Sequence, residues 1–245
     1  MSRPGNPMER KPAVALLVRG HERGAFGNAA FSDYARGLGD RLGADVRAFV
    51  HTWNESEAKQ SHRPLSRRGV RPISEEDVRS YFGDLLEWVA VDDDREVRLP
   101  GSCEGRIGGI PARPWKNMWY GKHRAAAAIA ESGVGFDLVV CVRLDNFLNM
   151  ESRRYARVNV QTMDAACRRA LAGGDPEAVH FVKDATCPGI DNFYTGRPAA
   201  VFRLIERFHG EMDDVRRTYP DVHHQEFLVY YAARKLASAA SWPGE

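Results

Sequence analysis

The segment Phe-Asp-Leu-Val-Val-Cys-Val-Arg-Leu-Asp, residues 136–145, decides the fold class of this chain. Its apolar stretch up to Val142 is continuous rather than alternating, which is typical of a strand buried on both faces of a parallel sheet. The stretch then ends in Arg143 and Asp145. The segment therefore predicts a central strand whose carboxyl end carries charged side chains.

The N-terminal part of the chain repeats this pattern. Residues 13–18 and 46–50 are further apolar runs, and residues 31–42 between them place apolar side chains at a helical period. So short a crossover favours a β-α-β unit with parallel strands. We predict a single α/β domain over residues 12–245, preceded by a disordered leader over residues 1–11.

The remaining elements continue the alternation of strand and helix. We predict helices over residues 75–86, 115–132, 162–171, 198–208 and 226–239, strands over 88–91 and 179–182, and a loop or short strand over 191–196. Ser74 and Asp77 have the spacing of a capping box at the first of these helices. Residues 54–74 and 92–114 are rich in polar residues, Gly and Pro and predict loops.

Composition excludes several classes of function. Apolar residues make up 43% and charged residues 28% of the 245 residues, which is an ordinary globular balance. The net charge of +2, from 35 basic and 33 acidic residues, does not favour nucleic acid or a membrane surface as a partner. No apolar run reaches the length of about 18 residues that a membrane span needs. The four scattered cysteines predict reduced thiols and an intracellular location.

The polar residues after each strand indicate where a ligand binds, because open parallel sheets bind ligands outside the carboxyl ends of their strands. Three strand ends supply Arg19, His21 and Arg23, then His51, Thr52 and Trp53, then Arg143, Asp145 and Asn146. Arginine forks match phosphate oxygens, and carboxylates suit a hard divalent cation. The pattern predicts a site for a phosphorylated ligand and a cation. Alternatively, Arg143 and Asp145 form a structural ion pair, and residues 19–23 are a surface loop.

Several motifs, taken in order, carry a resemblance to a known family. They are Arg-Gly-His-x-Arg at 19–23, His-Thr-Trp at 51–53, Trp-Lys-Asn-Met-Trp-Tyr-Gly-Lys at 115–122, the segment 136–145, Asp-Asn-Phe-Tyr-Thr-Gly at 191–196 and the late Glu226. Most of residues 13–235 resembles small glycosyltransferase-like proteins of the GT-A fold, which occur in bacterial polysaccharide clusters and in large DNA viruses. The resemblance implies a Rossmann-like, mixed and mostly parallel sheet flanked by helices. It also implies a cytoplasmic enzyme that moves a sugar from a nucleotide-diphosphate sugar to a glycan or polysaccharide.

The resemblance also implies roles for individual residues on the donor side. The donor would contact Val18, Arg19, Gly20, Arg23, His51, Trp53, Lys116, Arg143 and Asp145. In this family an Asp-x-Asp motif binds Mn²⁺ or Mg²⁺, but Arg143 occupies its first position and only Asp145 remains. Either Asp145 binds the metal with help from His223 or His224, or Arg143 supplies the positive charge and the metal is dispensable. The alternative for the two histidines is that they are surface residues.

On the acceptor side, Asp191 and Glu226 are the candidates for the catalytic base, and Phe193 and Tyr194 are candidates for stacking on a sugar. The alternative for Glu226 is a carboxylate that stabilises a helix N-terminus. Lys122 is interpreted as a solvated charge. Two other functions stay open at this level, namely a non-catalytic nucleotide-sugar or glycan binding module and another α/β phosphate-transfer enzyme.

Overall fold

The computed structural model describes residues 10–58, 69–107, 110–148, 158–182 and 189–240. In chain order, its strands are β1 (Ala13–Arg19), β2 (Asp45–Trp53), β3 (Leu86–Asp92), β4 (Arg106–Ile107), β5 (Ile110–Pro111), β6 (Leu138–Arg143), β7 (Val179–Phe181) and β8 (Phe193–Gly196). Its helices are α1 (Ala30–Leu42), α2 (Glu75–Phe82), α3 (Ala112–Glu131), α4 (Val160–Leu171), α5 (Pro198–Gly210), α6 (Met212–Thr218) and α7 (Gln225–Ala240). Short 3-10 helices are formed by Ala25–Gly27, Gly83–Leu85 and Ile190–Asn192.

Six strands form one sheet in the order β3-β2-β1-β6-β8-β7, and β4 pairs with β5 in a separate hairpin. Strands β3, β2, β1 and β6 are parallel, whereas β8 runs antiparallel to both of its neighbours. The predicted parallel β-α-β unit of β1, α1 and β2 is confirmed. The prediction of a mixed, mostly parallel sheet flanked by helices is also confirmed, and the arrangement is compatible with a Rossmann-like fold.

Helices cover both faces of the sheet. Alternate residues of β1 enter two hydrophobic clusters, with Val14, Leu16 and Val18 on one face and Ala15 and Leu17 on the other. The first cluster includes residues of α1, α2 and α4, and the second includes residues of α3, α5, α6 and α7. Burial on both faces explains why the central strands are continuously apolar in sequence.

Several predicted boundaries are corrected by the structure. The capping box of Ser74 and Asp77 is present, but α2 ends at Phe82 because Gly83 has a positive φ of 56° and the chain turns into β3. Helix α3 begins three residues before the predicted Trp115, since Pro114 lies within its first turn, where proline is tolerated. The predicted loop 92–114 therefore contains the β4–β5 hairpin and the start of α3.

Further differences lie in the C-terminal part of the chain. Helix α6 was not predicted, because its seven residues are too few to show a clear period. Residues 191–196, predicted to be a loop or a short strand, form the end of a 3-10 turn followed by the strand β8. Most of the predicted leader, residues 1–9, lies outside the described residues. Among the helices of the described ranges, none has the length and hydropathy to cross a membrane.

Candidate functional site

The order of strands reverses between β1 and β6, and the ends of these two strands carry arginines. Arg19 and Arg143 are the last residues of β1 and β6 and are Cα partners in the parallel ladder. Arg19 is 5% exposed, and its Nη2 donates to the main-chain oxygen of Asp191 at 2.9 Å and to Asp191 Oδ2 at 3.1 Å. Such a switch point is where open α/β sheets form a ligand crevice.

Arg143 and Asp145 form the ion pair that was one of the two alternatives for these residues in the sequence analysis. Arg143 donates from Nε to Asp145 Oδ1 at 2.9 Å and from Nη2 to Asp145 Oδ2 at 2.7 Å, and from Nη1 to Asn192 Oδ1 at 2.9 Å. The Nε of Arg23 lies 3.7 Å from Asp145 Oδ2. We call Arg19, Arg23, Arg143 and Asp145 the strand-end cluster. It contains three guanidinium groups and one carboxylate, and the carboxylates of Asp191 and Glu57 lie next to Arg19 and Arg23.

Asp191 and Glu226 form a carboxyl pair beside this cluster. Asp191 lies in the 3-10 turn before β8, and Glu226 in the first turn of α7 accepts a hydrogen bond from the main-chain N–H of Gly189. Burial and the neighbouring Asp191 raise the pKa of Glu226 to about 8. Burial also opposes ionisation of Asp191, but Arg19, the ammonium of Lys122 and Arg143 lower its pKa below the ordinary value. At pH 7, Glu226 therefore carries a proton and Asp191 is ionised.

The end of β2 supplies a second group of polar side chains. His51 is fully buried, and its Nε2 lies 3.1 Å from Asp92 Oδ2, which also accepts from the hydroxyl of Tyr120 at 3.0 Å. Burial lowers the pKa of His51. Trp53 stacks on Tyr120 with 6.0 Å between ring centroids. Because its Nε2 is paired with Asp92, His51 holds the end of β2 in place next to the strand-end cluster.

Val18 and Gly20, two other residues predicted to contact the sugar donor, present no side chain to a ligand. Val18 is fully buried in β1, where its side chain belongs to the hydrophobic core. Gly20 follows β1 with a positive φ of 107°, and its main-chain oxygen accepts a hydrogen bond from the hydroxyl of Thr52 at 3.0 Å. This bond links the two loops that follow β1 and β2.

Three predicted site residues are placed elsewhere. The Nζ of Lys116 donates to the main-chain oxygen of Pro100 at 2.6 Å and lies 3.2 Å from the carboxylate of Asp213, so its charge is committed to that pair. Phe193 and Tyr194 are both fully buried, and they enter the hydrophobic clusters on opposite faces of the sheet. Neither ring offers a free face to a sugar, and we withdraw both from the acceptor site.

The residues that the structure describes do not form a site that fits a divalent cation. His223 is exposed and lines a cavity of about 850 Å³ with Arg216 and Tyr219, whereas His224 is half-buried on the side of Asp191, so the two histidines diverge. Both oxygens of Asp145 accept from Arg143. Within the described ranges, no three His, Cys, Asp or Glu side chains come together as ligands.

Lys122 is a buried residue that the sequence analysis interpreted wrongly. Its side chain is 0% exposed, and its Nζ lies 3.7 Å from the centroid of the Trp119 ring and 4.8 Å from that of Tyr194. No described residue is a hydrogen-bond partner of this Nζ. Burial and the nearby Arg19 lower its pKa well below the ordinary value. A signal was present in the sequence, because Trp115, Trp119, Ala126 and Ile129 recur at a helical period, and Lys122 occupies the remaining position of that stripe.

A cavity of about 520 Å³ adjoins the strand-end cluster, and we call it the β1 cavity. It is lined by Glu22, Arg23, Gly24, Gly27, Asn28, Ser56, Glu57, Gly69, Arg71 and Leu148. These residues come from the loops that follow β1, β2 and β6, which meet at the carboxyl end of the sheet. Arg23 belongs to both the cavity and the cluster, so the two regions are continuous.

Comparison with known proteins adds no family to this picture. No protein-family model matches the sequence, and no curated protein has significant similarity to it. The fold and the site define an α/β protein with an arginine-rich cluster at the switch point of its sheet, next to the β1 cavity.

Proposed function

We propose that the chain is a glycosyltransferase of the GT-A kind that moves a sugar from a nucleotide-diphosphate sugar to a hydroxyl of a glycan or polysaccharide. The observation that carries the proposal is the meeting of three arginines with the Asp191–Glu226 carboxyl pair at the switch point. Guanidinium groups suit a diphosphate, and a carboxyl group of raised pKa suits an acceptor hydroxyl. The mixed, mostly parallel sheet agrees with what the family resemblance implies.

The strand-end cluster supplies the positive charge that the leaving diphosphate requires. Arg143 uses three of its five N–H groups on Asp145 and Asn192, and the other two remain for phosphate oxygens. Arg23, at the edge of the β1 cavity, adds a second guanidinium. Because these groups are fixed by their ion pairs before a substrate binds, they stabilise the departing charge without reorganisation.

The carboxyl pair acts on the acceptor. The acceptor oxygen forms a bond to the anomeric carbon, the bond from that carbon to the diphosphate oxygen breaks, and the hydroxyl proton passes to ionised Glu226. Asp191 is a weaker base because Arg19 stabilises its charge, and its role is to keep the pKa of Glu226 high. The rate should therefore rise with pH up to about 8, where Glu226 loses its proton.

The second candidate, a binding module without catalysis, is favoured by the ion pair that engages Asp145. Two measurements separate the candidates: titration calorimetry with UDP, GDP, CDP and ADP in EDTA, and release of nucleoside diphosphate from the matching sugar nucleotides. The enzyme both binds and releases the diphosphate, and release grows with a suitable acceptor. A binding module binds without release. If no nucleotide binds, both candidates are wrong.

The variants Arg23→Met and Arg79→Met locate the site. Arg23 joins the cluster to the β1 cavity, whereas Arg79 is an exposed arginine of α2 that pairs with Glu75. We expect R23M to weaken diphosphate binding by about tenfold or more, since a charge-assisted hydrogen bond to phosphate is lost. R79M should bind as the wild type does. Equal affinities of the two variants would place the nucleotide elsewhere.

A further inference from the structure

Glu22 is the deepest charged group of the β1 cavity. It is 1% exposed, although it follows β1 by only three residues and lines a cavity of about 520 Å³. Its Oε1 accepts from the main-chain N–H of Phe26 at 2.9 Å and lies 3.2 Å from Nη2 of Arg71. Among the residues that the structure describes, its Oε2 has no hydrogen-bond partner. A buried carboxylate oxygen without a donor is costly, so this oxygen points to a ligand that supplies one.

The acceptor capacity left on Glu22 narrows the class of ligand to one that presents N–H or O–H donors. An ionised carboxylate has about four lone-pair positions and no donor. Phe26 and Arg71 fill the two on Oε1, and the two on Oε2 are unfilled. The edge of guanine offers two adjacent N–H donors, N1–H and the N2 amine. Uracil offers one N–H between two carbonyl oxygens, and adenine and cytosine each place an acceptor nitrogen beside their amine.

Arg71 provides the complement for the rest of that edge. Its guanidinium lies beside Glu22 and lines the same cavity. The O6 of guanine is next to N1–H, and arginine is the side chain that most commonly donates to guanine O6. A carboxylate acceptor next to a guanidinium donor therefore matches the acceptor-donor-donor order of guanine.

The cavity also has the position that a donor base requires. Arg23 lines it and lies 3.7 Å from Asp145 of the strand-end cluster, so a base in the cavity is continuous with a diphosphate at the cluster. We infer that the β1 cavity binds the base of the sugar-nucleotide donor and that Glu22 selects guanine. This inference rests on the proposed function. The substrate class is then the guanosine-diphosphate sugars.

The first test uses the unaltered protein. Titration calorimetry compares GDP with IDP, which lacks only the N2 amine, and with UDP and pyrophosphate. We expect GDP to bind at least about tenfold more tightly than IDP or UDP. Equal affinities of GDP, IDP and UDP would overturn the inference and leave the proposed function intact, because Glu22 would then contact a group that all three share, such as the ribose hydroxyls. If none of the diphosphates binds, both the inference and the proposed function are wrong.

The second test reverses the preference. Glu22→Gln keeps an acceptor oxygen for Phe26 and places an amide N–H donor where Oε2 stood. Xanthine carries a carbonyl oxygen in place of the N2 amine, so E22Q should lose affinity for GDP and gain it for XDP. The control is Glu76→Gln, an exposed residue of α2. A gain for XDP cannot come from misfolding, and a folded E22Q that still prefers GDP over XDP as the wild type does would refute the role of Glu22.

Discussion

Glu226 is partly buried and Lys122 is fully buried, and the groups around the two side chains differ. Glu226 has Asp191 beside it and Gly189 as a hydrogen-bond donor, so its proton is shared within a polar pair. Lys122 faces the rings of Trp119 and Tyr194 and has no hydrogen-bond partner in the described part of the chain. In both residues burial disfavours the charged form, but this raises the pKa of the acid and lowers that of the base.

The Glu226→Gln variant should lose a pH dependence of stability. Because the pKa of Glu226 is about 8 in the folded state against an ordinary value of 4.5, the folded state binds more protons between these values. The contribution of Glu226 to the free energy of unfolding of the wild type therefore falls as pH rises from 4.5 to 8. Urea unfolding at pH 5 and pH 9 should show E226Q more stable than the wild type at pH 9 and similar at pH 5. Equal pH profiles for both proteins would contradict the raised pKa, and E76Q is the control.

The Lys122→Met variant should stabilise the protein. Methionine fills a similar volume without an amine, and an unsatisfied buried polar group costs roughly 1–3 kcal/mol. Since the unfolded state binds more protons when a lysine pKa is lowered on folding, the gain should be larger at pH 6 than at pH 9. Urea unfolding measures both. Lys235→Met, at an exposed position of α7, should change little. A destabilised K122M would mean that its aromatic contacts outweigh the missing hydrogen bonds.

At the level of elements, α3 and β2 approach closely at Gly121. A Cβ atom on Gly121 would lie 2.5 Å from Nδ1 of His51, which is fixed by Asp92 and by burial. Gly in the middle of a helix costs about 1 kcal/mol relative to Ala. Glycine at position 121 is explained by this close approach. Because it has no Cβ atom, the helix packs directly on the strand that ends beside the site.

Gly121→Ala should therefore destabilise the protein in spite of its better helix propensity. We expect a loss of about 1–3 kcal/mol in the free energy of unfolding, as for other overpacked cores. Thermal or urea unfolding measures it. The matched control is Gly210→Ala in α5, where no atom lies within 4 Å of the added Cβ and the change should be neutral or slightly stabilising. A G121A protein as stable as G210A would show that His51 can move.

Across the whole molecule, the sheet brings charges together from distant parts of the chain. Arg19 at the end of β1 contacts Asp191, 172 residues later, across the switch point. The strand-end cluster thus fixes three guanidinium groups at one edge of the sheet. Arg143 stands where the family resemblance implies a carboxylate that binds a metal ion.

We expect nucleoside diphosphate to stabilise the protein without added metal. A ligand at about 100 times its Kd contributes about 2.7 kcal/mol, which for a chain of this size raises Tm by roughly 5–10 °C. Differential scanning fluorimetry with GDP in EDTA and in Mn²⁺ should give equal shifts. Arg143→Asp should lose the shift in EDTA and recover it in Mn²⁺, because a second carboxylate joins Asp145. A wild-type shift that needs Mn²⁺ would contradict the role of Arg143, and R79D is the control.

The central strands and the place of the site could be predicted from sequence because both depend on local order. The continuous apolar runs of β1 and β6 and the capping box of α2 are written within a few neighbouring residues. The rule that ligands lie beyond strand ends then selected Arg19, Arg143 and Asp145. Cys141, one of the four cysteines predicted to be reduced, is a buried free thiol in the structure.

Only the tertiary structure decided what these residues do to one another. The reversal of β8, the burial of Phe193 and Tyr194, and the pair of Asp191 with Glu226 depend on elements that are far apart in the chain. The same is true of the acceptor sites left open on Glu22 and of the withdrawal of Lys122 from water. Sequence fixes which side chains reach the edge of the sheet, since periodicity is local. Their pKa values and contacts follow from packing, because burial and distance exist only after the chain has folded.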